Sequence, residues 1–454
     1  MRALPLRIAR IDLFERPVVL RLPFRFGAAT LERCEQAFVR VALDAGGRRA
    51  VGAAAELMVP KWFDKSPARS NEQNIADLRT ALVLTRDAYR AAGAVASAWQ
   101  LHRGAGAAAI DEGVARGLPR LVAQFGVAQI DKAVADAVLK AAELDFGSGL
   151  ARGVLGDPWS GGLALQRPGR LTLRHTVGLL DRLRADDPGP DPADGLPATL
   201  QDAIRAFGLT HFKLKLSGQR EADVDRLVRI AAVLDSEVRG HWRVTLDGNE
   251  NFASTDALAE TWAALQATPA LQRLLERTLL LEQPLPRAVA LQQRVDGLAI
   301  AVPLILDESD DADDVFERGL ALGYRGISSK ACKGPYRSLH SAALVAADPA
   351  RRLLSGEDLT CQAGLAVQQD TLLAATLGVT HIERNGHHYV DGFGNAPAHE
   401  ADAFADAHPD LYRRDAHGRP HLRIDDGAIG IGSLHGPGFG TAAQPDWSSL
   451  TALA

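Results

Sequence analysis

Two lysines separated by a single residue, Lys213 and Lys215, are the first groups in the sequence whose spacing suggests chemistry. They lie in residues 211–216, where polar and apolar side chains alternate, and this period of two predicts a β-strand with both lysines on one face. Most lysines are simply exposed to solvent. Like charges this close nevertheless repel each other, so the groups around the strand decide whether the pair forms a solvated surface or a site.

Ionisable residues also end the strand-like runs that follow this one, and helical patterns lie between the runs. After Lys215 these residues are Asp247, Glu282, Asp307, Lys330, Glu357 and Glu383, at intervals of 23 to 35 residues. A (β/α)8 barrel uses about 250 residues for eight units, or roughly 31 residues per unit, and carries its functional groups at the C-terminal ends of the strands. The sequence therefore predicts an α/β fold, a (β/α)8 TIM-type barrel, with a first strand near Thr176 and these side chains around one mouth.

Three of these residues are acids on consecutive strands: Asp247, Glu282 and Asp307. Carboxylates facing one mouth repel each other, and a hard divalent cation would remove that repulsion. An all-oxygen ligand set without His or Cys favours Mg²⁺, or Mn²⁺, over Zn²⁺. We therefore expect a metal site at this mouth.

The lysines flank the acidic strands, since Lys215 ends strand two and Lys330 ends strand six. In a closed barrel this places one amine on each side of a ligand held between them. Such a layout suits removal of a proton next to a carboxylate, with the cation stabilising the charge that develops.

The motifs Lys213-Leu-Lys215, Leu246-Asp247-Gly-Asn249, Glu282-Gln-Pro, Asp307-Glu308-Ser and the sixth-strand Lys330 resemble the enolase superfamily, in its muconate lactonizing enzyme and mandelate racemase branch. The resemblance covers nearly the whole chain. It implies that Asp247, Glu282 and Asp307 bind the metal, and that Lys215 and Lys330 are the acid/base pair, assisted by Lys213. Strand parity does not separate Asp307 from Glu308, and the resemblance favours Asp307.

Residues before the barrel read as a small α+β unit. Residues 8–13, 18–22, 38–43 and 50–55 are strand-like and are broken by Pro17, Pro23 and a Gly-Gly pair, and residues 72–150 are alanine-rich and helix-periodic. The resemblance implies a capping domain whose two aromatic loops close over the substrate. We predict a capping domain at 1–150, a catalytic barrel at 165–395 and a C-terminal segment at 396–454 that returns to the cap.

The substrate-binding residues that we predict come from these loops and from the strand ends: Arg25, Phe26, Trp62, Asn249, Glu357 and Glu383. The sequence departs from the family pattern in three places. The sixth strand lacks Lys-x-Gly-Gly, so Lys333 competes with Lys330; the seventh lacks the histidine of a His/Asp dyad; and the eighth lacks the Asp-x-Asp that grips an ammonium group. His387 and His388 are interpreted as surface residues of a loop.

Composition narrows the class of protein further. The chain has 454 residues, is 46% hydrophobic and carries a formal net charge of −5, which is typical of a globular protein and argues against a nucleic-acid partner. Three distant cysteines form no zinc or disulfide pattern, so a reducing cytoplasm fits. We find no signal peptide and no apolar run of about 18 residues, and so expect no membrane partner. We expect a homo-oligomer.

Two reactions remain open for a metal-dependent enzyme of this kind. An amine on each face suits racemisation, epimerisation or cycloisomerisation of a small carboxylate, whereas dehydration of a hydroxy or sugar acid needs one base and one acid. Lysines can also form imines, as in Schiff-base aldolases, and a non-catalytic binding protein is the last alternative.

Overall fold

A computed structural model describes residues 3–27 and 29–453; residues 1, 2 and 454, at the outer ends of the predicted domains, lie outside the described part. The N-terminal unit is built on an antiparallel sheet in which β1 pairs with β2, and β2 with β3, while β4 pairs with the start of β1. These strands are β1 (Leu6–Phe26), β2 (Ala29–Ala45), β3 (Arg48–Met58) and β4 (Ala94–Val95).

The first strand is continuous through both prolines that the sequence analysis took as breaks. Pro17 still has a partner residue, Glu35, in β2. Strand pairs recorded on the other edge of β1 involve Leu6, Arg7, Phe14 and Glu15, so Pro17 lies beyond them. Proline is tolerated at such an edge because its missing N–H costs no ladder hydrogen bond. The prediction of two separate strands there was wrong.

Within the described residues, five α-helices follow β3, and α4 lies deepest among them. Their bounds are α1 (Asn71–Ala91), α2 (Ala98–Leu101), α3 (Ala107–Ala115), α4 (Arg120–Ala142) and α5 (Phe146–Ala151). Nearly every side chain of α4 is buried, because the helix packs on the sheet through one face and on other elements through the rest. A Cβ added at Gly52 would meet the carbonyl oxygen of Ala133 at 2.0 Å, so a glycine is required where β3 crosses this helix.

Eight parallel strands of the described chain then close into a barrel, because the last pairs with the first. They are β5 (Arg170–Val177), β6 (His211–Lys215), β7 (Arg243–Asp247), β8 (Thr278–Glu282), β9 (Leu304–Leu306), β10 (Gly326–Ser329), β11 (Leu353–Gly356) and β12 (His381–Arg384). The intervening helices are α6 (Leu200–Phe207), α7 (Arg220–Glu237), α8 (Thr255–Ala267), α9 (Gln272–Glu276), α10 (Arg287–Ala290), α11 (Val315–Ala321), α12 (Pro335–Ala346) and α13 (Leu365–Thr376). The predicted barrel with an N-terminal α+β unit is confirmed.

The C-terminal residues contact both units. They form α14 (Gly386–Tyr389), α15 (Ala398–Ala407), β13 (Tyr412–Arg414), β14 (Pro420–Leu422), β15 (Ala428–Gly430) and β16 (Thr451–Ala452). Strand β15 runs antiparallel beside β5 of the barrel, and β16 pairs with β1 of the N-terminal sheet. The domain limits given above stay a prediction. Among helices of the described residues, none has the length and apolar character needed to span a membrane.

Candidate active site

The predicted strand-end residues gather at one end of the barrel. Lys215 ends β6 opposite Asp247, the last residue of β7, which in turn lies opposite Glu282 at the end of β8. Asp307 and Lys330 directly follow β9 and β10. All five side chains are buried. Because parallel strands share one C-terminal edge, the spacing in the sequence becomes proximity in the fold.

Lys213 lies at the centre of this charge cluster. Its Nζ is 2.6 Å from Glu357 Oε2, 2.7 Å from Glu282 Oε2, 2.9 Å from Asp247 Oδ2 and 3.0 Å from Glu383 Oε2. Burial alone would lower the pKa of Lys213, but these carboxylates raise it well above its ordinary value. The ammonium group is therefore held charged, and it compensates acids from four different strands.

Lys215 and Lys330 each bind one acid on opposite sides of the barrel. Lys215 Nζ donates a hydrogen bond of 2.6 Å to Asp247 Oδ2, and Lys330 Nζ donates one of 2.5 Å to Asp307 Oδ2. Their strands are second and sixth of eight, so the two amines approach from opposite walls. Burial would raise the pKa of Asp307, but Lys330 and then Lys333 lower it below its ordinary range.

Of the three strand-end acids, Glu282 has the fewest hydrogen bonds to its carboxylate. Within the described chain neither of its carboxylate oxygens accepts a hydrogen bond of regular geometry, although Oε2 forms an ion pair of 2.7 Å with Lys213 Nζ. Burial, followed by the charges of Asp247 and Glu357, raises its pKa well above the ordinary value. A carboxylate in this state is suited to a cation, and with Asp247 and Asp307 it forms the all-oxygen donor set that Mg²⁺ prefers.

The three acids are nevertheless paired with ammonium groups. Across residues 3–27 and 29–453, no three side chains of His, Cys, Asp or Glu are arranged so that they could hold one metal ion as they stand. The physical reason is that Lys213, Lys215 and Lys330 each draw a carboxylate oxygen towards an Nζ. The donor chemistry thus fits a divalent cation, and binding would require these oxygens to exchange an ammonium for the metal.

The members of the two pairs of alternatives, Lys330 or Lys333 and Asp307 or Glu308, differ in their contacts. Lys330 lines the cavity described below, whereas Lys333 Nζ donates to the carbonyl oxygen and the hydroxyl of Ser328, each at 2.9 Å, and lies 2.9 Å from Asp310. Glu308 Oε1 accepts a hydrogen bond of 3.1 Å from Asn249 Nδ2. Lys330 as the second acid/base residue, and Asp307 as the third metal ligand, stay predictions.

A narrow cavity of about 20 Å³ lies between the two amines, which is room for about one water molecule. The N-terminal unit covers it with aromatic rings. The Trp62 ring centroid lies 4.5 Å from Lys330 Nζ, and the Phe24 centroid lies 5.7 Å from Lys215 Nζ. Its lining residues are Phe24, Phe26, Val59, Trp62, Lys215, Asn249, Lys330, Asp358, Leu359, Thr360 and Asn385.

Three of the predicted substrate-binding residues line this cavity, namely Phe26, Trp62 and Asn249. Glu357 and Glu383 do not line it, because their carboxylates bind Lys213. Arg25 is exposed and also lies outside the lining, since side chains alternate along β1 and its neighbours take the inward positions. Contact of Arg25, Glu357 and Glu383 with the substrate stays a prediction.

Sequence reasoning missed several residues of the lining. Phe24 could have been found, since it shares a strand face with Phe26. Asn385 could also have been found, because it lies two residues after Glu383 and residues two apart on a strand share one face. Thr360 has φ +66°, a loop conformation that no periodicity reveals.

Backbone contacts hold the Trp62 segment over the cavity. Arg287 donates hydrogen bonds of 2.9 Å to the carbonyl oxygens of Trp62 and Phe63, and forms a two-point ion pair with Glu250. Lys65 Nζ lies 2.7 Å from the same Glu250 carboxylate. We call Lys65, Glu250 and Arg287 the latch, because they connect the cap to the barrel beside Lys330.

The histidines expected on a loop surface are instead part of a cluster in the barrel rim. His175 Nδ1 lies 3.0 Å from His387 Nε2, and the ring of His388 lies 5.1 Å from that of His175. Burial, then the charge of His388, lowers the pKa of His175 to about 3, and burial lowers that of His388 to about 3. These imidazoles are neutral in the folded protein.

Solved structures of known enzymes superpose on nearly the whole of this chain. A muconate lactonizing enzyme from Mycobacterium smegmatis, complexed with muconolactone, superposes with a TM-score of 0.64 at 18% identity, over 97% of this chain and 98% of the other. An enolase from Bradyrhizobium, complexed with magnesium and mandelic acid, gives 0.62 at 16% identity, over 98% and 97%. A dipeptide epimerase from Enterococcus faecalis, complexed with Mg and L-Leu-L-Tyr, gives 0.60 at 15% identity, over 96% and 99%.

These likenesses show that the chain shares the fold of these solved enzymes. No protein-family model matches the sequence, and no curated protein does.

Proposed function

We propose that this chain is a divalent-metal-dependent enzyme of the enolase superfamily that removes the α-proton of a small carboxylate. The observation that carries the proposal is that Lys215 and Lys330, from opposite walls of the barrel, line one cavity, with three acids on the strands between them. Racemisation, epimerisation or cycloisomerisation uses such a pair best. Relatives in fold that bind muconolactone, mandelic acid or a dipeptide support a carboxylate as the substrate class.

Asp247, Glu282 and Asp307 would hold the metal, and within the described chain Glu282 accepts no hydrogen bond of regular geometry, its Oε2 being held by the ion pair with Lys213 Nζ. A divalent cation bound there, Mg²⁺ in our proposal, would withdraw charge from the substrate carboxylate and lower the cost of the anion formed on deprotonation. Lys213 keeps the surrounding acids compensated through its contacts with Glu357 and Glu383.

The side-chain amines of Lys215 and Lys330 transfer the proton. One Nζ, in its neutral form, accepts the α-proton from its face, and the other, as ammonium, returns a proton from the opposite face. Each amine must first loosen its ion pair with Asp247 or Asp307. The aromatic cover excludes water, so that the exchanged proton belongs to a lysine.

β-Elimination of water from a hydroxy acid is the second candidate. In this reaction one of the two amines acts as the base, and the other acts as the acid that protonates the leaving hydroxyl. The amide oxygens of Asn249 and Asn385 in the cavity wall could accept a hydrogen bond from the hydroxyl of such a substrate, and this favours β-elimination as the second candidate.

Solvent exchange tests the proposal. Candidate acids are incubated with the enzyme and Mg²⁺ in D₂O and followed by NMR and mass spectrometry, beside a sample with EDTA and the Glu282→Gln variant. We expect deuterium at the α-carbon that depends on the metal and is lost in the variant, with loss of water if elimination occurs. Turnover that survives EDTA and is trapped by borohydride would replace the proposal with imine chemistry, and no metal binding by calorimetry would remove it.

A further inference from the structure

Two buried amide oxygens in the cavity wall have no hydrogen-bond partner. Asn249 and Asn385 are 4% and 2% exposed, both line the cavity, and within the described chain nothing donates to either Oδ1. Their amino groups are committed, because Asn249 Nδ2 donates to Glu308 Oε1 at 3.1 Å and Asn385 Nδ2 to Glu383 Oε1 at 3.0 Å. Turning either amide over would set its oxygen against a carboxylate, so both side chains present acceptors.

Apart from the hydroxyl of Thr360, the rest of the wall is apolar or already paired. Phe24, Phe26, Val59, Trp62 and Leu359 supply hydrocarbon and rings, and no arginine of the described chain is part of the lining. The carboxylate of Asp358 accepts hydrogen bonds from the backbone N–H groups of Cys361 and Asn385, at 3.2 and 2.9 Å. The wall therefore offers neither a cation beyond the two lysines for a second acidic group nor a free acid for an ammonium group.

A buried acceptor without a donor is costly, and a ligand that brings the donor recovers that cost. Sites built to hydrogen-bond a substrate hydroxyl or N–H also reject analogues that lack it. Resting on the proposed function, we propose that the substrate carries a hydroxyl or amide N–H beside the carbon that is deprotonated, and an apolar or aromatic group beyond it. A hydroxy acid or an N-acylated amino acid with an apolar substituent has this chemistry, and a donor-free dicarboxylate lacks it.

The cap must move to admit such a molecule, since the cavity of about 20 Å³ holds no group larger than water. The aromatic residues that move are the ones the apolar group would then contact. The donor and the apolar group are thus read by different walls, the donor by the barrel and the apolar group by the cap.

Matched ligands test the proposed substrate class through their binding affinities, without requiring turnover. Mandelic acid, its O-methyl ether and 2-phenylpropanoic acid differ only at the donor, and N-acetylphenylalanine is compared with its N-methyl derivative. With Mg²⁺ present, calorimetry should give affinities about tenfold to a hundredfold higher for the donor-bearing member of at least one series. The two series separate a hydroxyl from an amide donor.

Two variants show whether the asparagines are responsible. Asn385→Leu keeps the side-chain volume, and Asn249→Gly removes the other amide at φ +41°, where glycine is unstrained. At least one should reduce the donor preference to less than about threefold, whereas exposed Asn395→Leu should leave it intact. Thermal unfolding identifies any variant that fails to fold, and the remaining one then decides.

Equal affinity for donor and donor-free ligands in both series would overturn the inference, as would a preference that survives in both variants. Exchange of deuterium into acids regardless of a donor would also overturn it while leaving the proposed function standing. A donor preference that follows the asparagines, without any α-proton exchange, would support the ligand class and remove the proposed function.

Discussion

The two walls of the candidate site are built in different ways. The barrel wall is made of charges that pair with each other, with Lys213 surrounded by four carboxylates. The cap wall is made of rings, and its Trp62 segment is held by hydrogen bonds to backbone carbonyls from Arg287. Under the proposed function, the barrel wall would supply the chemistry and the cap wall would supply the fit, and the cap wall has to open because the cavity of about 20 Å³ admits only a water-sized group.

Removing the charge at the centre of the barrel wall should have the largest effect. Lys213→Met leaves four buried carboxylates without their shared ammonium, and losing one partner of a buried ion pair costs about 3–5 kcal/mol. Urea unfolding in EDTA measures the free energy of unfolding. The double variant with Glu383→Gln should recover part of the loss because it also removes one uncompensated charge. An unchanged free energy in the single variant would show that the cluster is not held by Lys213.

Loosening the latch should affect the cap wall alone. Arg287→Met removes two hydrogen bonds to the Trp62 segment and the pair with Glu250, each bond being worth about 1–3 kcal/mol when charged. We expect Trp62 fluorescence to become more accessible to a quencher and KM to rise about tenfold or more, with a smaller change in kcat. Arg294→Met, which removes an exposed arginine paired with Asp296, is the matched control. Equal quenching in both variants would contradict the latch.

The histidine cluster predicts how the barrel responds to acid. His175 and His388 have pKa values of about 3 in the folded protein, and an unfolded histidine titrates near 6.5. Between these values the unfolded chain binds more protons, so stability falls as pH falls below about 6.5, by about 1.4 kcal/mol per pH unit for each group. His175→Gln should remove one such increment from the slope of unfolding free energy against pH. The same slope in both proteins would mean that His175 is protonated in the fold.

The smallest effect should separate two neighbours on β1. Phe26 is buried against the cavity and Arg25 is exposed. Phe26→Ala should raise KM about tenfold, because burial of such a side chain is worth about 1.5–3 kcal/mol. Arg25→Ala should change KM less than about twofold, as expected of a surface substitution. A large effect of Arg25→Ala in steady-state kinetics would identify it as a substrate-binding residue.

The difference between the walls also explains what the sequence could predict. Lys215, Asp247 and Glu282 end short strands at regular intervals, and parallel strands share one C-terminal edge, so their proximity followed from spacing alone. The cap wall depends on how two loops fold over a separate unit. Even there, the alternation of Phe24, Arg25 and Phe26 along β1 indicates that the two rings share one face and that Arg25 lies on the other.

Other features had no local signal. The continuity of β1 through Pro17 depends on the free edge beside it, which only the sheet topology defines. In the described part of the chain, the strand-end carboxylates pair with Lys213, Lys215 and Lys330 and do not form an open metal site. This pairing depends on where the three ammonium groups lie in the fold, and the spacing of the acids in the sequence does not indicate it.

In the proposed mechanism, Lys215 and Lys330 approach one substrate carbon from opposite walls of the barrel. Stereospecific exchange tests it most directly: each enantiomer of a substrate identified by the solvent screen is incubated in D₂O with Lys215→Met, Lys330→Met and the control Lys140→Met. We expect each cavity variant to lose α-deuteration of one enantiomer and keep it for the other, in opposite senses, with the control unchanged. Loss of both enantiomers' exchange in one variant and of neither in the other would contradict the account.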